Sequence, residues 1–163
     1  MEDKTNVMRI LDKKKINYKV HNLYSMGLTL EDISTKTSVD TAKILNIEPN
    51  KIFKTLVTVG KSNNHYVFVI PANSELDLKK SAKVVGEKSI AMVKSKELLP
   101  LTGYIHGGCS PIGMKKFFTT NIHETAKSQE SIIFSSGKVG ILVEVKVEDI
   151  SKVIRVSYSD LTT

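Results

Sequence analysis

The alternation of apolar and polar residues predicts a helix and then a strand at the start of the chain. An apolar stripe with helical spacing is formed by Val7, Met8, Ile10 and Leu11. The basic run at 13–15 follows as a cationic last turn, which complements the helix C-terminus. Residues 16–21 then alternate with period two, as in a half-buried strand. Two short helices are predicted next, over 29–34 and 39–45, each opened by a Ser or Thr that can cap it.

The middle of the chain predicts a β-hairpin and a capped helix. Two runs rich in β-branched and aromatic residues, 51–59 and 65–70, flank the turn-forming segment 60–64. A helical apolar pattern begins at Leu76, with Asp77 near its start and Gly86 at the natural C-cap. Further on, the patterns predict strands at 117–122, 131–134 and 141–145 and a closing helix at 147–154. This mixture indicates one α/β or α+β domain, residues 1–163, around a curved mixed sheet.

The charge balance favours a polyanionic partner. Lys and Arg number 24 against 17 Asp and Glu, so the formal net charge is +7. Such a surplus fits nucleic-acid binding, and it equally fits a basic surface that serves only solubility.

Cysteine and histidine usage argues against disulfides and metal sites. Cys109 is the single cysteine, and this excludes an internal disulfide and suits a reducing cytosol. The four histidines are widely separated and match no metal-ligand spacing, so neither a metal nor another cofactor is expected. The N-terminal residues 1–6 are polar and no run of 18 apolar residues occurs. We therefore expect a cytoplasmic protein with no signal peptide and no membrane span.

Four segments occur in an order that carries a family resemblance. They are Lys51-Ile52-Phe53-Lys54-Thr55-Leu56, the stretch from Glu75 to Lys83, the Gly-rich loop from Gly103 to Gly113, and Ser135-Ser136-Gly137-Lys138. Together they resemble the YbaK-type family of aminoacyl-tRNA deacylases, over roughly residues 40 to 155. Two positions depart from the usual pattern: Ser136 replaces the first Gly of the family's Gly-Gly turn, and Leu142 replaces an acidic residue of some cysteine-editing members.

The resemblance implies a compact YbaK-like α/β fold with a twisted, barrel-like mixed sheet and short helices around it. It implies hydrolysis of the ester bond of a mischarged aminoacyl-tRNA, most often Cys-tRNA(Pro) or Ala-tRNA(Pro), with tRNA and a prolyl-tRNA synthetase as partners. It also places the pocket between the Lys-bearing strand, the Gly-rich loop and the Ser135–Lys138 turn. The implied catalytic residues are Lys54, Gly107 and Gly108. The implied substrate-binding residues are Thr55, Ser110, Ser135, Ser136 and Gly137.

The chemistry of these residues suits an ester that is already activated, because its hydrolysis depends mainly on positioning and on stabilisation of the oxyanion. Lys54 lies in an apolar strand, where a charge is out of place unless it faces a polar cavity; it could instead be an edge lysine that discourages aggregation. Glycines at 107 and 108 let backbone N–H groups approach a carbonyl oxygen or a phosphate, although the loop could also be an ordinary turn set by Ser110-Pro111. The Ser135–Lys138 segment could likewise be only a β-turn between strands.

Two residues leave alternatives open. His21 ends a predicted strand near the expected pocket and is either a pocket residue or a structural histidine. Cys109, three residues from His106, is either a nucleophile or a small buried side chain. The competing functions are therefore a deacylase that depends on Lys54, a non-catalytic module that binds tRNA ends or a synthetase, and a hydrolase of another ester or amide that depends on Cys109.

Overall fold

The computed structural model describes residues 4–163, so part of the polar N-terminal hexapeptide lies outside the described residues. The α-helices in this range are α1 (Asn6–Lys13), α2 (Leu30–Thr35), α3 (Ser38–Leu45), α4 (Leu78–Val85), α5 (Ser95–Thr102) and α6 (Val147–Ile150). The strands are β1 (Tyr18–Asn22), β2 (Phe53–Gly60), β3 (His65–Pro71), β4 (Ile90–Met92), β5 (Thr119–His123), β6 (Ser131–Lys138), β7 (Ile141–Lys146) and β8 (Val156–Ser159). No helix in residues 4–163 is both long and apolar enough to span a membrane.

The capping chemistry of the sequence sets the helix boundaries. Thr29 and Thr37 each close a reciprocal capping box at the start of α2 and α3, as predicted from the Ser and Thr residues there. Asp77 accepts the backbone N–H of Lys80 at the start of α4, and Gly86 ends that helix in the left-handed conformation. These caps confirm the predicted helices. The predicted closing helix is shorter than expected, because α6 ends at Ile150 and the chain continues into β8.

The strands form two sheets rather than one. The first contains β1, β7 and β6 in antiparallel order, and the second has the order β4-β2-β3-β5-β8. In the second sheet β3, β5 and β8 run parallel, whereas β2 is antiparallel to both of its neighbours. The mixed α/β class is confirmed, but the expectation of a barrel-like sheet needs correction, because the strands do not close into a barrel.

The two sheets meet where β2 approaches β6. A parallel bridge joins Ile52 to Ile133 at this junction, and β2 then diverges from β6. The main apolar core lies between the sheets and includes the fully buried side chains of Val67, Val69 and Ile132. Residues of β2 therefore lie at a seam between the sheets, and the candidate site opens there.

Candidate active site

The edge of β2 is open around Thr55, between the bridge of Ile52 to Ile133 and the pairing with β4. Gly60 donates its N–H to Asn64 O at 2.8 Å in the β2–β3 hairpin. Hydrogen-bonded pairs alternate along an antiparallel ladder, so the even-numbered residues of β2 bond to β3 and the odd-numbered residues point to the opposite edge. On that edge β4 pairs only with residues 58–60, and the Val93 N–H reaches Val57 O at 3.1 Å. The backbone N–H and C=O of Thr55 therefore face a stretch of edge with which no strand of residues 4–163 is paired.

A cavity of about 560 Å³ lies against this open edge. Its walls come from β2, the α2–α3 segment, the region from Met92 to Leu98, the Gly-rich loop, and the β6–β7 hairpin. Of the residues predicted from the sequence, it brings together Lys54, Thr55, Gly107 and Ser135. Another groove, of about 670 Å³ beside Lys51, contains none of the motif's predicted site residues, and we do not assign it as the site.

The cavity is cationic. Lys36 and Lys54 belong to its lining, which contains no aspartate or glutamate from residues 4–163. Within residues 4–163, Lys54 makes no ion pair, whereas Lys51 lies 3.1 Å from a carboxylate oxygen of Glu144. An unpaired, half-buried cation in a cavity without carboxylates is available to an anion or to a developing negative charge.

Hydroxyl-bearing residues are frequent in the cavity lining. They are Ser34, Thr37, Ser38, Thr41, Thr55, Ser95 and Ser135. The Thr55 Oγ1 atom is buried and has no hydrogen-bond partner in the described part of the chain. Buried hydroxyls are normally hydrogen-bonded, so an unpartnered one in a cavity wall is a candidate contact for a ligand. The α2–α3 wall could not be predicted from the sequence, because its short helices carry only capping patterns and no recognisable motif.

The Gly-rich loop packs directly against the β6–β7 hairpin. A Cβ placed on Gly108 would lie 3.3 Å from both Val139 Cγ2 and Val139 N, so this close approach favours glycine. Tyr104 fixes the loop from the other side, because its hydroxyl donates to Ile112 O at 2.5 Å. Its ring also leaves no room for a side chain at residue 137, where a Cβ would lie 2.8 Å from Tyr104 Cε1. Gly107, with φ of +86°, therefore reaches the cavity from a loop held at both ends.

The Ser135–Lys138 segment is a bulge inside β6, not a turn between strands. Pairing with β7 shifts register between Ser135 and Lys138, and the strand continues to Lys138. The Gly137 N–H donates to Ser135 Oγ at 3.1 Å, so the bulge holds the Ser135 hydroxyl at the cavity wall. Ser136 is fully buried and its Oγ has no partner in residues 4–163. Ser136 and Gly137 lie directly behind the lining rather than in it.

Cys109 lines the cavity but is poorly suited to nucleophilic attack. Burial raises the pKa of its thiol to about 11, so the thiol is protonated at neutral pH. His106 is exposed and also contributes to the lining, yet it makes no hydrogen bond to Cys109 in the described residues. The geometry favours the interpretation of Cys109 as a small buried side chain.

Like Ser136 and Gly137, two further predicted substrate-binding residues lie outside the cavity lining, and so does Gly108 of the predicted catalytic set. Ser110 is fully buried, and its Oγ accepts the N–H of Ile112 at 3.4 Å, which shapes the loop. His21 lies in β1, with its Nε2 2.9 Å from Glu144 Oε1. Burial raises the pKa of Glu144, but hydrogen bonds from Ser131, His21 and Lys51 outweigh it and lower the pKa to about 2. His21 therefore belongs to a network that joins β1, β6 and β7.

The model of the family described as the aminoacyl-tRNA editing domain matches residues 33–153, which include every wall of this cavity except Leu23. The chain belongs to this family. As an aminoacyl-tRNA editing domain, it is an aminoacyl-tRNA deacylase that removes amino acids from mischarged tRNA. Residues 33–153 contain Lys54, both glycines and the β6 bulge, whereas His21 falls outside that range.

Relatives of this editing domain include free-standing proteins and parts of synthetases. The chain is 43% identical over 162 residues to a protein of Enterococcus faecalis with the provisional name Cys-tRNA(Pro)/Cys-tRNA(Cys) deacylase EbsC, covering 99% of this chain and 95% of the relative. It is 29% identical over 82 residues to the proline–tRNA ligase of Fervidobacterium nodosum, covering 50% of this chain and 14% of the ligase. A crystal structure provisionally described as a trans-editing enzyme for prolyl-tRNA synthetase superposes with a TM-score of 0.81 at 23% identity, covering 96% of this chain and 94% of that one. This last likeness shows the fold alone.

Proposed function

We propose that this editing domain acts in trans on tRNA(Pro) charged with cysteine or alanine, with Lys54 and backbone groups around the cavity as its catalytic apparatus. The observation that carries the proposal is the unpaired ammonium of Lys54 in a cavity without carboxylates. The names of the Enterococcus relative and of the partly matching proline–tRNA ligase support the choice of tRNA(Pro). A prolyl-tRNA synthetase is accordingly a proposed partner, and the cytoplasm, where charged tRNA is used, is the proposed location.

The reaction needs a water molecule and no cofactor. The water oxygen attacks the ester carbonyl carbon, and the carbonyl oxygen becomes negatively charged in the tetrahedral intermediate. When the intermediate collapses, the bond from that carbon to the ribose oxygen breaks and the proton from water moves to the ribose oxygen. The products are the free amino acid and a tRNA with an intact terminal ribose.

The cavity contains groups that can interact with the oxyanion, with the terminal phosphate and with the α-amino group of the substrate. The ammonium of Lys54 stabilises the developing oxyanion or holds the terminal phosphate, and the N–H of Gly107 can assist it. The N–H of Gly108 is not free for this role, because it donates to Ile105 O at 3.0 Å within the loop. The C=O of Thr55 on the open edge of β2 can accept a hydrogen bond from the substrate's α-amino group. Within the described residues the walls provide no carboxylate to act as a general base. Positioning and oxyanion stabilisation therefore carry the rate enhancement in this proposal.

The test is a deacylation panel of tRNA(Pro) charged with cysteine, alanine, serine or proline. The wild type should release cysteine or alanine rapidly and leave prolyl-tRNA intact. Lys54→Ala should lower the rate by roughly 10²–10³-fold, because one well-placed electrostatic contact has about that effect. Lys79→Ala is the matched control, since Lys79 is an exposed lysine on α4 outside the cavity. An unchanged rate for a folded Lys54→Ala protein would remove Lys54 from the mechanism.

A further inference from the structure

The segment after the Gly-rich loop presents one aromatic side chain to solvent. Phe117 is 77% exposed, the highest value among the large hydrophobic residues that are exposed in residues 4–163. Its neighbours in sequence are anchored. The Lys115 N–H donates to Thr102 O at 2.8 Å, and the Phe118 ring lies edge-on against His65 with centroids 6.0 Å apart. Phe117 therefore projects from a segment that is fixed on both sides.

Two lysines directly precede Phe117 in the chain. Lys115 and Lys116 are both exposed, and neither makes an ion pair within the described residues. An exposed aromatic ring next to unpaired lysines is the combination with which proteins bind single-stranded nucleic acid, because bases stack on the ring and phosphates attract the ammonium groups. The formal net charge of +7 is consistent with such a partner.

The distance from the cavity suits the end of a tRNA. β5 begins at Thr119, which pairs with Tyr66 of β3, and Tyr66 pairs with Thr58 of β2. Thr119 is therefore two strand spacings, each of about 4.8 Å, away from β2. Along the strand direction it is level with Thr58, which lies three residues of about 3.3 Å each beyond Thr55. Adding the two residues back to Phe117 puts the ring roughly 15–20 Å from Thr55, on the β3 side of β2 and therefore on the side away from its open edge. A few unpaired nucleotides can cross that distance when the terminal ribose lies in the cavity.

We propose that Phe117, Lys115 and Lys116 form a binding site for the unpaired nucleotides that precede the terminal nucleotide of tRNA. One base stacks on the ring of Phe117, and the two lysines contact the adjacent phosphates. The site rests on the proposed function, since it holds the same substrate whose ester lies near Lys54. It would contribute affinity for RNA with little base selectivity, because every base has a face that can stack.

Direct binding can be measured with an introduced fluorophore. The chain contains no tryptophan, so Phe117→Trp creates a single emitting ring at the proposed stacking position. Titration with an uncharged five-nucleotide RNA ending in CCA should quench its emission in a saturable way. Lys152→Trp is the control, since Lys152 is exposed and lies outside the cavity lining and the Phe117 segment. Quenching of both variants alike, or of neither, would overturn the proposal.

Kinetics separate this site from the catalytic one. Phe117→Ala should lower kcat/KM for Cys-tRNA(Pro) about 5- to 150-fold, the range expected for one lost base stack, whereas Phe117→Tyr should stay near wild type. Both variants should cleave the cysteinyl ester of adenosine, which lacks the preceding nucleotides, at the wild-type rate. Equal loss on both substrates, or no loss on either, would refute the stacking site while leaving wild-type deacylation intact. Failure of the wild type to cleave any charged tRNA would instead refute the proposed function.

Discussion

Replacing Thr55 with valine should make the protein more stable and less active. The Oγ1 of Thr55 is buried in the cavity wall without a partner, and an unsatisfied buried hydroxyl costs about 1–3 kcal/mol. Valine has nearly the same shape and a higher preference for strands, so it removes this cost without leaving a hole. We expect the free energy of unfolding to rise by about 1–2 kcal/mol, which corresponds to about 2–8 °C in Tm for a chain of this size.

The same substitution should also lower kcat/KM for deacylation. If the hydroxyl donates to or accepts from the bound aminoacyl group, its loss removes one neutral hydrogen bond of about 0.5–1.5 kcal/mol. This lowers kcat/KM about two- to tenfold. Thermal unfolding followed by circular dichroism, together with deacylation of Cys-tRNA(Pro), measures both effects on one preparation.

Ser81→Ala is the matched control for this experiment. The Ser81 Oγ is also buried without a partner in residues 4–163, but it lies on α4 and outside the cavity lining. Its removal should stabilise the protein and leave the kinetics unchanged. A lower Tm for Thr55→Val would show that the hydroxyl is satisfied in solution. A higher Tm with unchanged kinetics would show that the hydroxyl does not contact substrate.

Two further substitutions test the roles assigned to Cys109 and Glu144. Cys109→Ala should retain most of the deacylase activity. Iodoacetamide should inactivate the wild type only slowly at neutral pH, because burial raises the pKa of the Cys109 thiol to about 11. Rapid inactivation of the wild type, together with an inactive Cys109→Ala variant, would make Cys109 the nucleophile. Glu144→Gln should lower stability at neutral pH, and the difference from wild type should shrink as the pH falls, as urea titrations over the range would show. The folded-state pKa of about 2 lies below the ordinary value of 4.5, so the carboxylate's stabilising contribution is complete above about pH 4.5 and is lost toward pH 2. A stability difference that stays constant from pH 7 to pH 2 would contradict this assignment.

Local chemistry made several elements predictable from the sequence. The β2–β3 hairpin follows from two β-branched runs around a polar turn, and α4 follows from Asp77 and Gly86 at its ends. The motif residues Lys54, Thr55, Gly107 and Ser135 do converge on one cavity. Each of these signals is contained in a few consecutive residues, so a single chain displays it.

Features that depend on tertiary contacts could not be predicted in this way. Helix α5 contains Pro100 and has no side-chain cap at Lys94, so its pattern argues against a helix. β4 has only three residues and is defined by its pairing with β2. The sequence of the β6 bulge predicts a turn, because a glycine after two serines fits both structures and only the pairing with β7 distinguishes them. The partnership of His21 with Glu144 joins residues 123 positions apart, and no local pattern reports it.

The residue at which β4 ends and α5 begins determines whether the edge of β2 beside Thr55 is open to a substrate. Met92 pairs with Thr58 and the Val93 N–H bonds to Val57 O, so two more residues of strand would bring Ser95 opposite Thr55. The chain turns into α5 at Ser95 instead, although nothing in the side chain of Lys94 caps that helix. A longer β4 would satisfy more backbone groups of β2 and would also fill the place of the substrate. Pairing of the open edge and access of the substrate to it therefore exclude each other, because both would use the same backbone groups of β2.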